Sequence, residues 1–300
     1  MKVHKFTKEA VSIAESYRIT KGKKFRLKDW DPADVGHIDS KDEAQQLLEH
    51  GAQLLTVLQE KLWAQNKWAV MIILQGMDAA GKDGVVSHVM SGVNPQGCDV
   101  WSFKTPSTEE LDHDYLWRAH QRVPSRGKIG IFNRSYYEEV LVVRVHRKML
   151  GAERLPEAIT NKHLWEQRYE DINAFEKYLT HNGVVVRKFF LHLSKGEQKK
   201  RFLARLDDPH KNWKFSLADI KERGYWKDYQ RAYEELIQQT ATKHAPWYVV
   251  PADNKWYSRL VVSAAIVETL DSLQLEFPVV DKVKKEELEQ VRKLLVKEKH

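Results

Sequence analysis

The apolar residues change period several times along the chain, and each change marks an element. From residue 40 onward, Ala44, Leu47, Leu48, Leu54, Leu55, Leu58 and Leu62 recur at helical spacing. They stand behind Ser40 and Glu43, a pair with capping-box spacing, so the pattern predicts a helix. The run Ala-Val-Met-Ile-Ile-Leu at 69–74 has no polar alternate and is too short for a buried helix. It reads as a central strand covered on both faces. Further strands are predicted at 99–103, 129–132, 184–193 and 247–250, separated by segments of helical period. Among these, Ser107 and Glu110 open a helix with a second capping box, and Leu164, Ile172, Phe175 and Leu179 fall along one face of another. Strands alternating with helices predict an α/β fold, a parallel five-stranded sheet flanked by helices. The first 38 residues are basic and mixed and are expected to form an arm on a main domain spanning 39–280. The tail 281–300 is highly charged, with Leu288, Val291, Leu294 and Leu295 on one stripe. It predicts a terminal helix packed on the body or on another subunit.

Composition narrows the class. With 300 residues, 42% of them apolar, the chain can bury one large core and is neither a disordered tail nor a collagen. The single Cys98 excludes a disulfide scaffold, and with no apolar stretch after Met1 it points to a cytoplasmic setting without membrane attachment. A net charge of +7 implies an anionic partner. That charge is concentrated: residues 195–231 carry 11 Lys or Arg against six acidic residues.

The most specific chemical signal is Gly76-Met77-Asp78-Ala79-Ala80-Gly81-Lys82-Asp83-Gly84, directly after the first predicted strand and before an apolar helical stretch. Strand, glycine-rich loop and helix in this order form a P-loop context. The glycines let backbone N–H groups turn inward, the helix presents its positive end, and Lys82 supplies a mobile cation for a phosphate oxygen. Asp83 stands where Ser or Thr usually ligates magnesium, so a metal must find another ligand. Asp78 would repel bound phosphates unless a divalent cation lay between them, which makes it the candidate metal ligand. The alternative for both aspartates is a helix cap.

A second cluster, Asn133-Arg134-Ser135-Tyr136-Tyr137-Glu138, follows the 129–132 strand. Residues beyond strand carboxyl ends share one crevice, so Asn133 and Arg134 should face Lys82. Arg134 would neutralise phosphate charge, and Glu138 would organise a metal or a polar group of the acceptor. The competing reading is a polar turn that caps a helix. Residues 195–231 read as a helical lid whose Arg201, Arg205, Lys211 and Lys214 close over phosphates, the plainer alternative being a solvated helix face. Lys104, Arg118 and Arg122 extend the positive track, together with Arg144 and Arg147. So many cations suit a phosphate polymer better than a nucleotide donor.

Taken together, these motifs resemble the polyphosphate kinase 2 family over about residues 25–260. The carriers are the 76–84 loop, Phe132-Asn133-Arg134-Ser135-Tyr136-Tyr137-Glu138, Lys211-Asn212-Trp213-Lys214, and the run from Ala245 to Trp256. The resemblance implies a thymidylate-kinase-like P-loop core with a helical lid. It also implies reversible transfer of the terminal phosphate of inorganic polyphosphate to ADP or AMP with magnesium, or manganese in its place. Asp78 and Lys82 match the family's essential loop carboxylate and lysine, and Arg134 its second-motif arginine. Asn133 departs from members with Asp there, and with Glu138 it looks like the class that accepts both AMP and ADP. A homo-oligomer, dimer or tetramer, is expected. The rival enzyme is an ATP-dependent nucleoside monophosphate kinase with the same loop and lid. A nucleic-acid-binding protein is the rival of another class, suggested by the pI of about 9.2 and the ten Trp residues. Against it, Trp63, Trp101, Trp117, Trp165 and Trp247 lie in apolar-periodic segments and read as core.

Overall fold

The structure, a computed structural model, describes residues 2–38 and 40–298. Asp39, where the main domain was expected to open, and Lys299 and His300 at the end of the tail lie outside the described residues, as do the side chains of residues 2–7 and 214. In chain order, α1 (Lys2–Tyr17) and β1 (Arg18–Ile19) precede α2 (Lys41–Gln65), β2 (Ala69–Gln75), α3 (Lys82–Val89) and β3 (Cys98–Ser102). Two short helices, α4 (Thr108–Asp112) and α5 (Trp117–His120), lead to β4 (Ile129–Asn133), then α6 (Leu164–His181) and β5 (Val184–His192). Three helices follow, α7 (Lys195–Leu206), α8 (Leu217–Gly224) and α9 (Trp226–Thr240). The chain finishes with β6 (Trp247–Pro251), α10 (Lys255–Ser272) and α11 (Lys282–Lys297).

The strands lie in the order β1-β6-β5-β2-β4-β3. All neighbours pair parallel except β1, which runs antiparallel to β6. Strand β2 shows why its sequence had no polar alternate. Val70, Ile72 and Leu74 belong to one hydrophobic core, with α1, α2, α3 and α10. Ala69, Met71 and Ile73 belong to the other, with α6 and α9. Successive side chains of a strand point to opposite faces, so a strand covered twice must be apolar throughout. Each fully buried Val, Leu or Ile contributes about 1.5–3 kcal/mol. From β2 the chain builds β3 and β4 on one side, then returns to build β5 and β6 on the other. The crevice beyond the carboxyl end of β2 is therefore a topological switch point, where ligands of such sheets bind.

Several of these expectations are corrected. The sheet has six strands, not five, because a two-residue edge strand is too short to show a period in sequence. The first 38 residues are more than a basic arm: Ala10, Ile13, Ala14 and Tyr17 are buried on one helical face in the core with α10. Two of these four are alanines, whose weak hydrophobicity was masked by the lysines on either side. Trp63 was read as core, yet it is 48% exposed on the outer face of α2, whereas Trp247 is fully buried. The apolar stripe of α11 does not pack on the body; Leu288, Val291, Leu294 and Leu295 are all exposed. No helix among the described residues is long and apolar enough to cross a membrane.

Candidate active site

The loop after β2 turns tightly into α3. Ala80 N donates to Met77 O (3.1 Å) and Val85 N to Gly81 O (2.9 Å), which closes the first turn of the helix. Gly81 holds φ at +106° as the residue before α3, a conformation that side chains resist. At Gly76 space is the constraint: a β-carbon there would stand 3.0 Å from the Ala80 side chain and 3.1 Å from Leu191 O. Lys82 opens α3 and folds its side chain back into the loop, its Nζ donating to Gly76 O (2.6 Å) and Met77 O (3.3 Å). Burial, and after it the charge of Arg134, draws its ammonium below the usual lysine range; Asp78, Glu138 and Asp83 oppose this.

Arg134 sits at the end of β4 with φ of +64°. Its N–H donates to Leu74 O (3.0 Å), which continues the ladder and locks the turn against β2. The guanidinium lies between two carboxylates, 3.4 Å from Asp78 Oδ1 and 3.9 Å from Glu138 Oε2. Asp78, Lys82, Arg134 and Glu138 are thus brought together as the sequence predicted. Burial raises the Glu138 carboxyl above its ordinary value, against the pull of Arg134 and Lys82. With the Gln75 amide oriented to satisfy both its neighbours, its nitrogen donates to Glu138 Oε1 (2.9 Å) and its oxygen accepts from Ser135 N and Oγ (both 3.1 Å). The helix-cap alternative fails for both aspartates, because the capping position is Gly81 and no side chain bonds there. Asp83 instead accepts from Asn133 Nδ2 (2.6 Å), joining the loop to the end of β4.

These groups open onto a cavity of about 430 Å³ beyond the carboxyl ends of β2 and β4, roofed by α8 and α9. Gly76 and Asp78 form its phosphate-loop end, and Lys104 and Arg118 line its side. Arg118 is anchored, donating to Lys104 O (2.8 Å) and lying 3.4 Å from Glu110, the capping-box residue of α4. Its wall also carries the rings of Phe103, Tyr136, Tyr229 and Tyr233 and the acids Glu139 and Glu222. A cavity lined by cations, rings and hydrogen-bonding acids suits a small molecule with an anionic and a planar part.

The other predicted cations do not converge there. Arg201 was expected to face phosphate from a lid, but its guanidinium is buried under the loop. It donates to Ala79 O (2.9 Å), Ala80 O (3.1 Å), Ala252 O (2.5 Å) and Asp253 O (3.0 Å), and its Nε to Glu197 (3.0 Å). No N–H remains for a ligand, so Arg201 ties the loop to the end of β6. Arg122 stacks on Trp101 of the edge strand, 4.1 Å from the ring, outside the cavity. Arg205 lies against Phe202, and Lys211 pairs with Asp208. The Lys214 side chain is outside the described residues. Arg144 bonds Tyr169 and Glu235 within the fold.

Sequence reasoning missed several contacts. Gln198 donates to Asp78 O (2.9 Å) and accepts from Arg223 of α8 (2.7 Å), linking roof and loop. Arg259 of α10 reaches the flank of Gly84. In the cavity wall, Glu139 bonds Arg168 (3.0 Å), which also lies 3.4 Å from Glu153. Burial first, then the neighbouring Glu153 charge, raises the Glu139 carboxyl to about 8, with Arg168 opposing. Between its ordinary value and about 8 this group is protonated in the folded chain and ionised in the unfolded one. Stability should therefore fall as pH rises through that window. Denaturant midpoints measured from pH 5 to pH 8.5 should drift downward, and Glu139→Gln should flatten the drift; an equally steep profile in the variant would refute the assignment.

Comparison with known proteins follows the same lines. The family model described as polyphosphate kinase 2 matches residues 37–278. The chain is 50% identical over 284 residues to the ADP-polyphosphate phosphotransferase of Rhodopseudomonas palustris, covering 94% of this chain and 98% of that one. It is 44% identical over 265 residues to the AMP/ADP-polyphosphate phosphotransferase of Meiothermus ruber, covering 88% and 95%. The crystal structure of polyphosphate kinase 2 from Arthrobacter aurescens superposes with a TM-score of 0.85 at 42% identity, over 95% of this chain and 97% of that one. Loop, second motif, sheet order and whole-chain similarity agree, and the chain belongs to the polyphosphate kinase 2 family.

Proposed function

We propose that the chain transfers the terminal phosphate of inorganic polyphosphate to ADP and to AMP, reversibly. The observation that carries this reading is Lys82 inside the loop and Arg134 across from it, both beside Asp78 at the mouth of a nucleotide-sized cavity. The relatives support the donor by name, and two of them differ in acceptor, ADP for one and AMP or ADP for the other. Acceptance of both is favoured here by Asn133 and Glu138.

An oxygen of the acceptor's terminal phosphate attacks the end phosphorus of the donor in line. The new P–O bond forms as the anhydride bond to the next phosphate breaks, and the shortened polymer leaves with that bridging oxygen. The attacking oxygen is already ionised near neutral pH, so no strong general base is required. Lys82 and Arg134 neutralise the oxygens of the transferred group, and the fixed loop and roof hold donor and acceptor in line. No group of three or more His, Cys, Asp or Glu able to hold a metal occurs among the described residues. The lone Asp78 carboxylate still fits magnesium or manganese, which such sites bind through one or two carboxylates plus phosphate oxygens. Asp78 would hold the ion, which when bound supplies further neutralisation of phosphate charge.

A cytoplasmic setting accords with Cys98, a free thiol that burial pushes up to about 12 and so makes unreactive. Association with a second copy, as a dimer or tetramer, accords with the exposed stripe of α11. Neither nucleic acid nor membrane is part of the reading. The test is formation of ATP from ADP, and separately ADP from AMP, with polyphosphate and magnesium and no other donor. Activity only when ATP is the donor would establish the monophosphate-kinase reading instead.

A further inference from the structure

Three successive carbonyls of the phosphate loop are held by side chains of α7. Arg201 takes Ala79 O and Ala80 O, and one turn earlier Gln198 Nε2 donates to Asp78 O (2.9 Å). Gln198 is 1% exposed, and its oxygen accepts from Arg223 Nη1 of α8 (2.7 Å), which also donates to Lys195 O (2.9 Å). The two partners fix which way the amide faces. Turned over, its nitrogen would meet a guanidinium and its oxygen a carbonyl, two mismatches in a buried place.

The peptide that Gln198 holds joins Asp78 to Ala79, whose φ of +62° is a left-handed conformation that a β-carbon disfavours. A trans peptide points its C=O and its N–H in opposite directions. With Asp78 O drawn to α7, the Ala79 N–H is turned away from α7, and it donates to no group among the described residues. Backbone N–H groups turned inward in such a loop receive phosphate oxygens. From the same residue, the Asp78 carboxylate reaches Arg134 (3.4 Å). We propose that Gln198 is a positioning residue for phosphoryl transfer: by fixing the Asp78–Ala79 peptide it aims the Ala79 N–H at the donor phosphate and the Asp78 carboxylate at the transferring group. Arg223 keeps the amide in that orientation and so acts through Gln198, although it also lines the cavity. This deepens the transfer reading above and rests on it.

The test measures ADP phosphorylation by polyphosphate in the wild type, Gln198→Met, Gln198→Glu, Arg223→Met and the double variant Gln198→Met/Arg223→Met, with thermal melting of each. Methionine keeps the volume of Gln198 and removes both hydrogen bonds. Glutamate keeps the acceptor for Arg223 and removes the donor to Asp78 O. Both single changes at Gln198 should lower kcat by about ten- to a hundredfold, the scale of a small misalignment of reacting groups. KM for ADP and for polyphosphate should stay within about threefold, because a misaligned donor is still bound. Arg223→Met should lose less, and the double variant should lose no more than Gln198→Met alone. If Gln198→Met does not fold, the glutamate variant carries the comparison. A folded Gln198→Met within about threefold of the wild-type kcat, or a glutamate variant as active as the wild type, overturns the inference while leaving the function in place. So does a kcat that falls only in variants already melting at the assay temperature, which marks a role in stability alone. Losses that multiply in the double variant overturn the part given to Arg223, which would then act on the substrate directly. A wild type inactive with polyphosphate and ADP overturns the transfer reading and this inference with it.

Discussion

Lys188→Met is expected to destabilise the fold by about 3–5 kcal/mol, the cost of leaving a buried charge without its partner. Lys188 lies on β5 and is fully buried, as is Glu176 of α6. Its ammonium donates to Glu176 Oε2 (2.6 Å), to Thr240 O (2.7 Å) and to the Tyr137 hydroxyl (3.1 Å). The other carboxylate oxygen accepts from the hydroxyls of Tyr136 (2.9 Å) and Tyr137 (2.8 Å). Burial lowers the Lys188 ammonium from its usual range, and the Glu176 charge opposes that shift. Methionine fills the volume but leaves Glu176 and Thr240 O short of a donor. Adding Glu176→Leu should recover part of the loss, since a whole buried pair can be replaced at lower cost than half of one. Recovery stays incomplete because two tyrosine hydroxyls then lose their acceptor. Guanidinium denaturation of the two variants measures both terms, and a loss below about 1 kcal/mol in the single variant, the size of an exposed pair, would show that the network does not hold the fold. Tyr136 and Tyr137 stand two and three residues after Arg134 in the second motif, so this network also fixes the turn that aims Arg134 at Asp78.

That dependence explains what could be read from the sequence and what could not. The 76–84 loop and the turn after β4 were legible because phosphate binding needs neighbouring residues of a contiguous segment, set at a strand end, and sequence order preserves both. The central strands were legible because burial on two faces removes polar residues from them. Lys188 breaks that rule within its own strand, and its partners lie 12, 51 and 52 residues away along the chain, so no local pattern announces it. Arg201 was misread for a related reason. Among Lys199, Lys200 and Arg205 it looks like one more lid cation, and only the packing of α7 against the loop turns it inward. Glu139 gave no signal, because its partners Arg168 and Glu153 come from α6 and from the 3-10 helix Arg147–Glu153.

The second large effect is on activity: Lys82→Ala should lower kcat/KM for polyphosphate and ADP by about a hundred- to a thousandfold, the range seen when a preorganised donor to developing negative charge is removed. Lys82 is only 8% exposed, and its ammonium is held by Gly76 O and Met77 O. It therefore meets a phosphate without reorganisation and in a partly dry setting, where a charge acts most strongly. Lys82→Arg should fail nearly as badly. A planar guanidinium cannot take the place of a compact ammonium against two loop carbonyls, so retention of charge alone does not restore the geometry. Folding should survive both changes, because Arg201 anchors the loop from beneath and, among the described residues, Lys82 forms no ion pair whose loss would strand a carboxylate. The check is kcat/KM for wild type and both variants, with thermal melting as the control for folding. Activity within tenfold of wild type in Lys82→Ala would mean that the transferred phosphate lies elsewhere, with Arg134 left to neutralise it from outside the loop. An arginine variant as active as wild type would instead locate the phosphate farther from the loop carbonyls than the position of Nζ implies.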